Sequence, residues 1–193
     1  MNIVVTSLKG GVGKSTTSIY LSAAAIERGY DPVTLVDADP QASSAEWLET
    51  RPLAGVTVVE APSERTATRA MGRVDGLGII DTPPGNERIT QAAVAVANAV
   101  VVPTRAGGVE YSSVLTTIEL IPARIPRGVV ICAARLGTND LEMAIAWWKG
   151  RKVEIWGVIP ERVSIATGPE ARLSREGLKA YDAVLRRALR GWH

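Results

Sequence analysis

Leu8-Lys9-Gly10-Gly11-Val12-Gly13-Lys14-Ser15-Thr16 is the stretch on which the reading of the chain depends. It follows a β-branched run, Ile3-Val4-Val5-Thr6, and opens a segment with helical spacing. Strand, glycine-rich turn, Lys-Ser and helix, in that order, form the setting of a phosphate-binding loop. Glycines lack a Cβ, so successive backbone N–H groups can curl around an anion and approach it closely. The helix that follows turns its unpaired N–H groups and positive dipole end toward the same phosphates. Lys14 is placed to reach β- and γ-phosphates, and Ser15 to ligate Mg²⁺ through its hydroxyl. The pattern G-x-x-x-x-G-K-[ST] is met except at its first position, where Leu8 stands for glycine.

Outward from this loop, apolar segments that end in acidic residues recur. Ile19, Ala23 and Ile26 keep helical spacing, and Gly29 is a natural stop. Val33-Thr34-Leu35-Val36 reads as a buried strand ending at Asp37-Ala38-Asp39-Pro40-Gln41. If the extended geometry persists, Asp37 and Asp39 share a face and point together from the strand's carboxyl end. The other reading makes them caps of a helix that begins near Ala42. Val56-Thr57-Val58-Val59 is a third strand, and Leu77-Gly78-Ile79-Ile80 a fourth, closed by Asp81-Thr82-Pro83-Pro84-Gly85. An apolar strand ending in Asp is the Walker B arrangement, whose carboxylate holds Mg²⁺. Pro-Pro-Gly continues neither strand nor helix, so a loop begins there, placed to act as a switch beside the γ-phosphate. Ala99–Pro103, Gly128–Cys132 and Val153–Trp156 supply three more strands, with helical patterns such as Val114, Leu115, Ile118 and Ile121 between them. The alternation predicts an α/β fold, a mostly parallel sheet with helices on both faces.

Composition removes other chemistries. At 193 residues the chain suits a single domain, residues 1–193, and no linker, repeat or low-complexity tract divides it. Cys132 is the only cysteine and sits among apolar neighbours, which excludes intramolecular disulfides and cysteine clusters and predicts a core position. His193 is the only histidine, so Ser-His-Asp, Cys-His and histidine–zinc chemistry have no material. No apolar run approaches the ~20 residues of a membrane span. The N-terminus enters a strand directly, which predicts a cytoplasmic protein. The net charge of +2 is small, yet residues 161–193 hold seven Lys/Arg and four Asp/Glu, so that end carries +3. A last helix from about Arg172 to Trp192 has Leu178, Tyr181, Leu185, Ala188 and Trp192 as its apolar face. Arg172, Arg175, Lys179, Arg186 and Arg190 fall within one sector of about 60°, if Gly177 does not break the helix. Such a stripe fits DNA phosphates, and it also fits a plain solvated face.

The string Lys-Gly-Gly-Val-Gly-Lys-Ser-Thr, with the two acidic strand ends in the same order, resembles the deviant P-loop ATPases of the ParA/MinD family, closest to the small partition ATPases. The resemblance covers nearly the whole chain and implies the P-loop NTPase fold, ATP and Mg²⁺ as cofactors, and weak ATP hydrolysis. It makes Lys9 a signature lysine that reaches a partner subunit's nucleotide, where the residues alone also allow a solvated surface lysine. Gly10, Gly11, Val12, Gly13, Lys14, Ser15 and Thr16 become the nucleotide cradle. Asp37 and Asp81 join Ser15 in positioning the metal, and Asp39 orients the attacking water. Residues 157–162 look like the family segment against adenine, which implicates Pro160. Ala133-Ala134-Arg135 stands where the family often carries an adenine-contacting Asn. The implied function is segregation of plasmid or chromosomal DNA by an ATP-dependent homodimer. Such a dimer binds nonspecific DNA and works with a small centromere-binding, ParB-like or ParG-like protein in a cytoplasmic, nucleoid-associated setting. A MinD-like membrane-cycling ATPase and a metabolic P-loop ligase of the same superfold are the alternatives.

Overall fold

A computed structural model describes residues 1–107, 111–161 and 172–191. Seven strands form one parallel sheet: β1 (Asn2–Val5), β2 (Val33–Asp37), β3 (Val56–Glu60), β4 (Leu77–Asp81), β5 (Ala99–Thr104), β6 (Arg127–Ala134) and β7 (Ile155–Pro160). Their spatial order is β3-β2-β4-β1-β5-β6-β7. The α/β expectation is therefore met, and β1, which feeds the phosphate loop, lies between β4 and β5. That is where the chain switches direction across the sheet, the place where open parallel sheets hold ligands.

Both faces are covered because strand residues alternate between them. Ile3, Val5, Leu35, Ile79 and Val101 pack beneath α1 (Lys14–Glu27), α2 (Ser43–Thr50) and the last described helix, α7 (Arg175–Ala188). Val4, Val36, Ile80, Val100 and Val102 face α3 (Glu64–Met71), α4 (Glu87–Ala95), α5 (Tyr111–Glu119) and α6 (Asn139–Gly150). Among the described residues no helix is long and apolar enough to cross a membrane.

Two elements depart most from their sequence-based bounds. The seventh strand, expected at 153–156, runs from 155 to 160, because the Val153 N–H closes the end of α6 on the Trp148 carbonyl (3.1 Å). Pro160 is thus the last residue of the strand. The last helix begins at Arg175, capped by the Ser174 hydroxyl, which accepts from the Gly177 N–H at 3.0 Å. Gly177 does not break it. A Cβ there would lie 2.5 Å from a Tyr20 ring carbon, so this glycine permits close packing of α7 on α1. Trp192, expected on the apolar face, lies outside the described residues, as do Arg162 and His193.

Candidate functional site

The phosphate loop leaves β1 and turns twice through the left-handed region, at Gly11 (φ 73°) and Gly13 (φ 98°). Side chains rarely adopt that region, which is why glycines stand there. Gly13 caps α1, and Lys14 follows as its first residue, 7% exposed, donating from Nζ to the Lys9 carbonyl at 3.1 Å. Burial lowers the Lys14 pKa, and the carboxylates of Asp81 and Asp39 act in the opposite direction. A cleft of about 470 Å³ opens above the loop, lined by Gly10 to Thr16 on one side. Asp39, Ser43 and Pro84 line a second side; Arg105, Cys132, Ala133, Ile159, Pro160, Glu161 and Tyr181 complete it. Lys9 does not line this cleft and its side chain is exposed.

The three acidic residues separate. Asp37, the last residue of β2, is 1% exposed. Its Oδ2 accepts from the Ser44 N–H (3.0 Å), the Ser44 hydroxyl (2.7 Å) and the Ala45 N–H (2.9 Å), the opening turn of α2. Its Oδ1 accepts from the Asp39 N–H at 3.0 Å. The strand ends at Asp37, so the extended geometry that would point Asp37 and Asp39 together does not persist. Asp39 enters a turn, its carboxylate accepting from the Gln41 N–H at 2.9 Å, and lines the cleft. Helix capping thus describes Asp37, and an Asx turn describes Asp39.

Asp81 closes β4 with both carboxylate oxygens buried and without a hydrogen-bond partner. Burial, then the negative charge of Asp37, raise its pKa to about 7, against the pull of the Ser15 and Ser44 hydroxyls and of Lys14. A buried carboxylate without partners, close to the first hydroxyl of the phosphate loop, suits a hard cation. Mg²⁺ takes oxygen ligands and is commonly held by one or two carboxylates together with substrate phosphates. The residues present fit that ion.

Cys132 and Tyr181 were legible in the sequence only as apolar positions, Glu161 only as part of the segment 157–162, and Arg105 carried no signal. Tyr181 sits on α7 yet reaches the cleft, its hydroxyl 3.1 Å from the Thr17 hydroxyl and 3.9 Å from the Cys132 sulfur. Burial pushes the Cys132 thiol up to about 11 and the Tyr181 phenol well above its usual value, so both are neutral walls at pH 7. Glu161 is held below the usual carboxylate range by its hydrogen bond and ion pair with Arg135 (2.6 Å). The basic residues Arg172, Arg175, Lys179, Arg186 and Arg190 are all exposed, and none lines the cleft. Arg186 is engaged by Asp182 at 3.2 Å, which also holds Arg28 at 3.0 Å.

Residues 3–174 match the family described as the CobQ/CobB/MinD/ParA nucleotide binding domain. The chain belongs to this family. Among curated relatives, the chromosome-partitioning ATPase Soj of Thermus thermophilus is 31% identical, over 86% of this chain and 84% of Soj. Maintenance of carboxysome distribution protein A of Gloeobacter kilaueensis is 28% identical, over 95% of this chain and 76% of that protein. A plasmid partition protein of Borrelia burgdorferi, solved with AMPPNP, shares the fold with a TM-score of 0.77 at 18% identity, covering 97% of each chain. Other structures of this fold hold ADP with magnesium. The chain is thus a ParA/MinD-type nucleotide-binding domain, related to partition and carboxysome-positioning proteins.

Proposed function

We propose that this protein is an ATP-driven positioning switch of the ParA type, which dimerises on MgATP, binds nonspecific DNA and resets by slow hydrolysis. The observation that carries this reading is Lys9. It belongs to the phosphate loop, yet its side chain is exposed and outside its own cleft, where it is free to reach the nucleotide of a second copy. Lys14 and the loop N–H groups hold the β- and γ-phosphates, the family's charge-neutralising arrangement. Magnesium, when bound, neutralises charge developing on the phosphates. Ser15 and Asp81 are the residues to hold it. Asp37, whose Oδ2 is taken by three donors of α2, contributes negative charge behind Asp81 and fixes the Asp39 turn. Asp39 on the cleft wall orients the attacking water, and Pro84 in the loop after β4 approaches the terminal phosphate. Pro160 lies against the base. The working partner is a small centromere-binding protein, in a cytoplasmic, nucleoid-associated setting.

The basic face of α7 supplies the DNA surface. The membrane reading loses ground because Leu185 and Leu189, two of the apolar residues such an anchor would insert with Trp192, are buried in the core. Co-sedimentation with DNA and with anionic liposomes, each with and without MgATP, tests the proposal. Binding to DNA that requires ATP is expected, with none to liposomes. Arg186 is tied to Asp182, so Arg175, Lys179 and Arg190 are the residues to replace. Their loss should weaken binding to all sequences alike and shallow the log–log salt slope by roughly 0.9 per lost phosphate contact. Capture by liposomes, or DNA binding indifferent to ATP, would overturn the reading.

A further inference from the structure

Among the described residues two cations line the cleft, Lys14 on the phosphate loop and Arg105 just beyond β5. Lys14 lies within electrostatic reach of Asp81 and Asp39, the metal and water side. Arg105 follows β5 and is exposed at the cleft wall. The β5–β6 register ends with Thr104 paired to Ile131, and Arg105 follows at the end of β5 beside the β6 end that carries Cys132. Ala134 of β6 in turn pairs with Pro160 of β7. Arg105, Cys132-Ala133 and Pro160-Glu161 therefore stand in a row along the ends of three adjacent strands. The charge of Arg105 acts on both Cys132 and Glu161, as that placement requires.

Compensation is also uneven. Glu161, the carboxylate at this end, is already engaged by Arg135 at 2.6 Å. Arg105 makes no ion pair among the described residues. A guanidinium is always charged and presents planar N–H donors suited to phosphate oxygens. A nucleotide whose terminal phosphates sit on Gly10 to Ser15 extends its remaining phosphate and its base toward the ends of β5, β6 and β7.

We infer that Arg105 is a nucleotide-binding residue that grips the α-phosphate from the β5–β7 side of the cleft. The inference rests on the nucleotide reading of the cleft and deepens it. ATP and ADP both carry the α-phosphate, so Arg105 holds substrate, transition state and product equally. Such uniform binding sets affinity and leaves the chemical step alone.

Binding of MgATP, MgADP and adenosine, and steady-state ATP turnover, should be measured on the full chain and on Arg105→Gln and Arg105→Lys. The side chain is exposed, and a thermal melt of each variant checks that the fold is kept. Arg105→Gln should weaken both nucleotides by about 10-fold, the scale of one charge-assisted hydrogen bond, and raise KM with kcat unchanged. Arg105→Lys should recover part of that loss, because charge is what the phosphate reads. Unaltered affinity in Arg105→Gln overturns the inference. So does a loss confined to ATP or to kcat, which would move Arg105 to the γ-phosphate. An equal loss of affinity for adenosine, which has no phosphate, also overturns it, since the planar group would then be stacking on the base. If the unsubstituted protein binds neither nucleotide, the nucleotide reading itself fails, a result separate from all of these.

Discussion

Asp37, Asp39 and Asp81 carry the same group and are sorted entirely by their surroundings. Three donors from α2 occupy one oxygen of Asp37, an Asx turn directs Asp39 to the cleft, and Asp81 is buried with only the Ser15 and Ser44 hydroxyls and the Lys14 charge to offset its own. The Asp81 pKa of about 7, against 3.8 unperturbed, has a consequence for stability. A carboxyl raised in the folded state favours folding in its protonated form. Its contribution is present below about pH 4 and is lost as pH rises to about 7. At pH 8 the nucleotide-free protein holds a buried charge that Lys14 and the Ser15 and Ser44 hydroxyls offset only in part, and Asp81→Asn removes it. Thermal denaturation at pH 8 without nucleotide should give a higher Tm for Asp81→Asn than for the unsubstituted protein. The gap should close toward pH 4. Stabilisation by MgATP should be strong for the unsubstituted protein and weak for the variant. A lower Tm at pH 8 would mean that the Asp81 oxygens are compensated by partners of their own.

At the scale of elements, α7 is defined by what it rests on. Its inner face packs on α1, which begins in the cleft, and on β7, which ends there. Tyr181 stacks on Tyr20 with ring centroids 5.0 Å apart, and the Tyr20 hydroxyl accepts from the Ser174 N–H at 3.1 Å. The Tyr20 ring is therefore held on two sides, and it cannot easily yield to a Cβ at Gly177. Gly177→Ala should cost ~1–3 kcal/mol in overpacking, offset by up to ~1 kcal/mol of better helix propensity. A lowered Tm is the expected result, by roughly 2–4 °C for each kcal/mol lost. Gly150, the last residue of α6, is the control, since a Cβ there meets nothing within 4 Å. Gly150→Ala should gain about 0.4–1 kcal/mol through the unfolded chain. Equal and positive shifts for both alanines would show that α7 does not pack on α1 this tightly.

For the whole molecule, the question is whether one copy is a complete machine. The cradle, Asp81 and Asp39 come from a single chain, whereas Lys9 stands outside its own cleft. Lys9→Ala keeps the backbone carbonyl that holds Lys14, so ATP should still bind, within a few-fold of the unsubstituted affinity. ATP-dependent dimerisation and turnover should both fail. Light scattering with and without MgATP reads the first and phosphate release the second. A normal ATP-dependent dimer would return Lys9 to the role of a solvated lysine.

The phosphate loop was legible in the sequence because every determinant lies in nine consecutive residues. Glycines at two left-handed turns, a lysine and a hydroxyl on the first helical turn are local chemistry. The sheet was legible because strands buried on both faces need near-continuous apolar runs, as in Val33–Val36 and Ala99–Val102. Only the tertiary structure decided the rest. It set β1 between β4 and β5, gave Asp37 to a helix cap and brought Tyr181 against Thr17, a pair 164 residues apart. It also brought Arg105, Cys132 and Pro160 to one cleft at the ends of three adjacent strands. Each of these depends on which segments become neighbours, and no periodicity within a segment encodes that.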